Sequence, residues 1–138
     1  MANSIGVSSG LLTRLTFAIR SSNSLYETIL SFRSTSRAVR GLCEELEALN
    51  GVLNSLQETI TNSNTDFGSL KLPLNRCGQA CAEFESVIKY CTRKSKWDRT
   101  SFIDWVKLRY MKGDINGFKN MLGSYKSTIS MALGDANM

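Results

Sequence analysis

The chain predicts an all-α fold, an antiparallel up-and-down bundle of four helices forming one domain over residues 1–138, on three observations. Apolar residues recur at spacings of three and four in four separate blocks. No stretch shows the sustained period-two alternation with β-branched enrichment that a strand needs. The connections between the blocks are short, which pairs consecutive helices most simply as antiparallel neighbours. A length of 138 residues with 42% hydrophobic composition suits a single domain that buries about two thirds of the surface its unfolded chain exposes. No disulfide or metal is needed to hold it.

The first helix is expected over about residues 4–32, with Leu12, Leu15, Ile19, Ser22, Tyr26 and Ile29 on one face. Arg33-Ser34-Thr35-Ser36 breaks that pattern, and Thr35 or Ser36 can cap a second helix over 36–62. Its stripe is the most regular in the chain: Val39, Leu42, Cys43, Leu46, Leu49, Val52, Leu53, Leu56 and Ile60, with Glu44, Glu45, Glu47 and Glu58 off or beside it. The polar run from Thr61 to Gly68 reads as a loop. Pro73 fits the first turn of a third helix over 72–92, whose stripe is Leu74, Cys77, Cys81, Phe84, Ile88 and Cys91. After a basic connection from Arg93 to Arg99, Thr100 can cap a fourth helix over 100–133 that buries Ile103, Val106, Tyr110, Ile115, Phe118, Leu122, Tyr125, Ile129 and Leu133. Gly113, Gly117 and Gly123 allow this last helix to be kinked or broken.

Charge is unevenly distributed. Residues 1–43 hold five arginines against one glutamate, residues 44–68 hold five acids and no base, and residues 69–99 hold seven bases against three acids. In an up-and-down bundle the first and third connections lie together, so Arg33, Arg37, Arg40, Arg93, Lys94, Lys96 and Arg99 form a candidate basic pole, with Trp97 interleaved. Such a pole can attract an anionic membrane surface. A solvated loop region is the commoner meaning of a charge run and is favoured; nucleic acid is not expected as a partner.

The function classes excluded follow from what is missing. The chain has no histidine, which removes imidazole metal sites, serine–histidine and cysteine–histidine pairs and a near-neutral general base. Three of the four cysteines, Cys77, Cys81 and Cys91, fall on an apolar stripe where free cysteine packs as a small hydrophobe, so neither metal binding nor catalysis is expected of them. The paired glutamates read as a solvated helix face. No enzyme activity and no cofactor is predicted. The N-terminus lacks the pattern of a secretory signal, which points to a cytoplasmic protein with free thiols. No apolar run reaches the roughly 18 to 20 residues that span a bilayer, since Arg14 interrupts the best one, Ile5 to Ile19.

Three segments carry a family resemblance: Leu42-Cys43-Glu44-Glu45-Leu46-Glu47-Ala48-Leu49-Asn50-Gly51-Val52-Leu53, Leu70-Lys71-Leu72-Pro73-Leu74-Asn75-Arg76-Cys77 and Tyr125-Lys126-Ser127-Thr128-Ile129-Ser130-Met131-Ala132-Leu133. Their order resembles the fungal N-terminal domain of STAND proteins, also named after the N-terminal domain of an azaphilone pigment cluster protein. The resemblance implies an effector or signalling domain of a NOD-like receptor, with downstream receptor domains if the chain is a fragment. It further implies kinship with HeLo-like helical domains, whose N-terminal helix is proposed to insert into membranes in fungal programmed cell death. Those relatives often have a glycine- and alanine-rich N-terminus, whereas this chain offers only Gly6-x-x-x-Gly10.

The expected activity is therefore self-association as a homo-oligomer, with recruitment to a membrane on activation. The candidate segment is Ile5, Gly6, Val7, Gly10, Leu11 and Leu12: small residues four apart let helices approach closely in lipid, and in a soluble bundle merely permit close packing, which is the favoured meaning here. A homotypic adaptor without membrane activity is the alternative.

Overall fold

A computed structural model describes the backbone of residues 2–31, 37–62, 65–94 and 114–136, with side chains described for 10–31, 37, 39–62, 65–89 and 115–135. Among the described residues there are four α-helices and no strand: α1 (Ala2–Leu30), α2 (Arg37–Asn62), α3 (Lys71–Lys94) and α4 (Asp114–Ala136). A single 3-10 turn, Gly68–Leu70, leads directly into α3. The helical class is the one the spacing predicts.

Boundaries moved in instructive ways. Helix α3 runs to Lys94, so Arg93 and Lys94 belong to its last turn rather than to a connection. Helix α4 continues unbroken through Gly117, Gly123 and Gly134; Gly113 and the expected start of that helix, with Ile103, Val106 and Tyr110, lie outside the described residues. So do Thr35 and Ser36, the expected caps of α2.

The direction of each helix follows from what touches what. Ser22 meets Asn50 and Tyr26 meets Glu47, so α1 and α2 run antiparallel. A Cβ on Gly10 would approach Lys71, one on Gly78 would meet Phe17, and Ser24 hydrogen-bonds Glu85. These three layers advance by seven residues on both helices, so α1 and α3 run parallel and in register, as heptad packing requires. Lys119 reaches Gly41 and Lys126 reaches Glu45, which makes α2 and α4 parallel. Phe84 stacks on Phe118 at 4.4 Å between ring centroids, closing the ring between α3 and α4. Directions therefore alternate up and down along the chain, while the parallel pairs α1/α3 and α2/α4 stand side by side and α2 lies diagonally from α3.

The core fills the space between these four faces. Leu15, Leu25, Leu46, Leu49, Leu53, Leu56, Leu74 and Leu122 are fully buried, each stabilising by about 1.5–3 kcal/mol relative to exposure. On α1 the buried line is Leu11, Leu15, Ala18, Ser22, Leu25 and Ile29, with Leu12, Ile19 and Tyr26 on its flank. The expected face is thus rotated, because α1 contacts both α2 and α3 and needs a wider apolar sector than one stripe. Phe67, inside the polar stretch read as a loop, is 3% exposed. Asp66 Oδ1 accepts from Gly68 N at 2.8 Å, and Leu70 N donates to Phe67 O at 2.9 Å, so the turn that starts α3 also pins this ring into the core.

Candidate functional site

Both regions singled out by sequence are built from helix ends. The N-terminal one occupies the start of α1, where Ile5, Gly6 and Val7 lie on the helix with side chains outside the described set. Further along, Gly10 is half-buried, Leu11 is 4% exposed within the core, and Leu12 packs against it. Arg14 Nη1 donates to Gly10 O at 3.0 Å, folding the guanidinium back over the glycine.

The basic pole draws on the start of α2 and the end of α3, which alternating helix directions bring to one end of the bundle. Arg37 and Arg40 are exposed there, and the backbone of Arg93 and Lys94 closes α3 at the same end. Arg33, Lys96, Trp97 and Arg99 lie outside the described residues. Sequence reasoning missed Lys119 of α4, whose Nζ would lie 3.1 Å from a Cβ on Gly41 and so joins Arg37 and Arg40 near the start of α2. Only the parallel pairing of α2 with α4 could have revealed it.

Polar side chains between helices are mostly occupied with one another. Ser22 Oγ, fully buried, donates to Asn50 Oδ1 at 2.7 Å and has the Ile19 carbonyl oxygen 3.1 Å away. The Tyr26 hydroxyl donates to Glu47 Oε1, and that bond to a carboxylate, with burial behind it, pushes the phenol up from its ordinary value. Glu45, read from sequence as solvated, instead receives Lys126 Nζ at 2.9 Å on Oε1; it is half-buried because α4 lies beside α2. For Glu85, burial raises the carboxyl but hydrogen bonds from Ser24, Lys89 and Thr28 outweigh it, so its pKa ends below the usual carboxylate range. Lys89 Nζ is 3.0 Å away.

Among the described cysteines, Cys43 and Cys81 show no sign of activation. Cys43, Cys77 and Cys81 are free; the side chain of Cys91 is outside the described set. The Cys81 thiol is pushed up strongly by its hydrogen bond with Cys77 and by burial, and Cys43 is raised by burial and by Glu47 and Glu44. A thiol held protonated is a poor nucleophile. Tyr125, on the α4 face toward these cysteines, is likewise raised, first by burial. Among the described residues no group of three or more Cys, Asp or Glu is arranged to hold a metal ion, and no helix is long and apolar enough to cross a membrane.

Fold and side-chain placement together define a helical-bundle domain whose inward polar groups serve packing and helix register. The chain belongs to the family described as pigment biosynthesis cluster protein PigL N-terminal, whose pattern it matches over residues 2–138. No curated protein and no solved structure matches it.

Proposed function

We propose that this is a non-enzymatic effector domain at the N-terminus of a fungal STAND-type receptor, acting by self-association and by engagement of a membrane surface in programmed cell death. Membership of a family of N-terminal domains over residues 2–138 is the observation that carries the reading. The pairing of Ser22 with Asn50, Tyr26 with Glu47 and Glu45 with Lys126 supports it, since these groups offer packing contacts rather than a reactive group. In this reading the segment Ile5, Gly6, Val7, Gly10, Leu11 and Leu12 is the part that engages lipid, with Leu11 withdrawn from the core when copies cluster. One copy is too short to span a bilayer, so several must pool their apolar faces. The basic pole around Arg37 and Arg40 orients the clustered domains on an anionic surface.

Analytical ultracentrifugation across a concentration series, paired with dye leakage from anionic vesicles, tests this directly. Concentration-dependent mass with leakage that disappears on deleting residues 1–12 is expected. Association without leakage reduces the domain to a homotypic adaptor, and a strict monomer without leakage sinks both readings.

A further inference from the structure

Two cations from different helices converge over a single glycine. A Cβ built on Gly10 would lie 3.4 Å from Arg14 Nη1 and 4.0 Å from Lys71 Nζ, so the guanidinium and the ammonium flank the same open patch of α1 backbone. Both side chains are half-buried, so their mutual repulsion is less screened than that of two free surface cations, and a bound anion would relieve it. Neither forms an ion pair among the described residues. Arg14 satisfies one of its donors on Gly10 O at 3.0 Å, leaving the rest of its fork free. Asp66, the acid nearest Lys71 in sequence on its N-terminal side, has Oδ1 on Gly68 N instead. Lys71 also opens α3, and the first turn of that helix carries no acidic residue beside it.

The geometry points to an anion site at Gly10, Arg14 and Lys71 that takes a phosphate monoester group, borne by a lipid headgroup or by a soluble compound. A monoester carries close to two negative charges near neutral pH, matching the two cations, and offers three acceptor oxygens to a fork and a point donor approaching from two sides. Glycine at position 10 matters because a methyl group there would occupy the floor between the two nitrogens. The register that places the site is the same one that seats Phe17 on Gly78 one heptad further along. This inference stands apart from the effector reading, since a phosphate site survives if leakage and self-association are both absent.

Inorganic phosphate titrated into the nitrogen-15-labelled chain at constant ionic strength should shift the Gly10 amide and the Arg14 side-chain signals saturably. Lys71→Gln and Arg14→Gln should each weaken binding by about tenfold or more, the loss expected for one charge-assisted contact. Gly10→Ala should weaken it too while leaving helicity intact, because both contacts its methyl makes are ordinary in length. Arg20→Gln, an exposed cation elsewhere on α1, should change nothing. Cosedimentation with phosphatidylcholine vesicles containing phosphatidic acid, against vesicles containing phosphatidylglycerol, separates the sources. A phosphatidic acid preference lost in Lys71→Gln assigns the headgroup, and phosphate binding without such a preference assigns a soluble ligand. Non-saturable shifts, or equal losses in Arg20→Gln and Lys71→Gln, would show a mere net-charge effect and overturn the site.

Discussion

Replacing Gly78 by alanine isolates the contact on which the parallel α1/α3 pairing rests. The added Cβ would stand 2.5 Å from Phe17 Cδ2, 2.6 Å from Cε2 and 3.2 Å from Cγ. With the stem of the ring as close as that, rotating the far edge does not relieve the clash, and the whole side chain or the helix must shift. Overpacking of this kind costs about 1–3 kcal/mol. Against it, alanine is better than glycine in a helix interior by about 1 kcal/mol. Gly78→Ala should therefore destabilise by up to about 2 kcal/mol net, lowering Tm by up to about 8 °C for a chain of this size. Two references fix the sign. Gly51, mid-α2, has nothing within 4 Å of its built Cβ, so Gly51→Ala should stabilise by up to about 1 kcal/mol. In a Phe17→Ala background the obstruction is gone, and Gly78→Ala should become stabilising by a similar amount, about 1 kcal/mol. Urea unfolding followed by helical ellipticity, with the m value checked for constancy, measures all four variants. Should Gly78→Ala stabilise the wild-type background as Gly51→Ala does, the α1/α3 register argued above is wrong.

Core truncation should separate buried from exposed apolar positions: Leu46→Ala or Leu53→Ala, both at 0% exposure, should cost about 2–5 kcal/mol, while Met131→Ala, at 71% exposure, should stay within about 0.5 kcal/mol by the same unfolding measurement. A thiol reagent applied to the native protein should modify Cys43 well before Cys77 and Cys81, which are fully buried; peptide mapping that finds Cys77 labelled as fast as Cys43 contradicts the core placement. Glu85 has a depressed folded pKa, so its contribution to stability is complete above its unfolded value near about 4.3 and is lost as pH falls through the folded value. Glu85→Gln should be less stable than wild type at neutral pH and converge on it in acid, a difference that thermal unfolding across a pH series reads directly.

What the sequence determined by itself is the helical class and the apolar faces of α2, α3 and the described part of the last helix, while the face of α1 came out rotated. A stripe such as Val39, Leu42, Leu46, Leu49, Leu53 and Leu56 needs no partner to be legible, because the periodicity of a helix is a local property of backbone geometry. Pro73 and the polar run before it were likewise local signals, and they marked the start of α3 to within one residue. Phe67 escaped notice because a lone aromatic among turn formers has no period to reveal burial. The order of helices around the core was not legible at all: apolar stripes say that a face is covered, not by which helix, and either neighbour satisfies the same pattern. Only tertiary structure set α1 beside α3 and α2 beside α4, and those pairings decide what the charged residues do. Glu45 pairs with Lys126 and Lys119 reaches Gly41 because α4 flanks α2; Arg14 and Lys71 face one another because α1 and α3 run parallel in register. Charged and small residues have no hydrophobic face of their own to declare a partner, so their roles are fixed by whichever neighbour the packing of the leucines delivers.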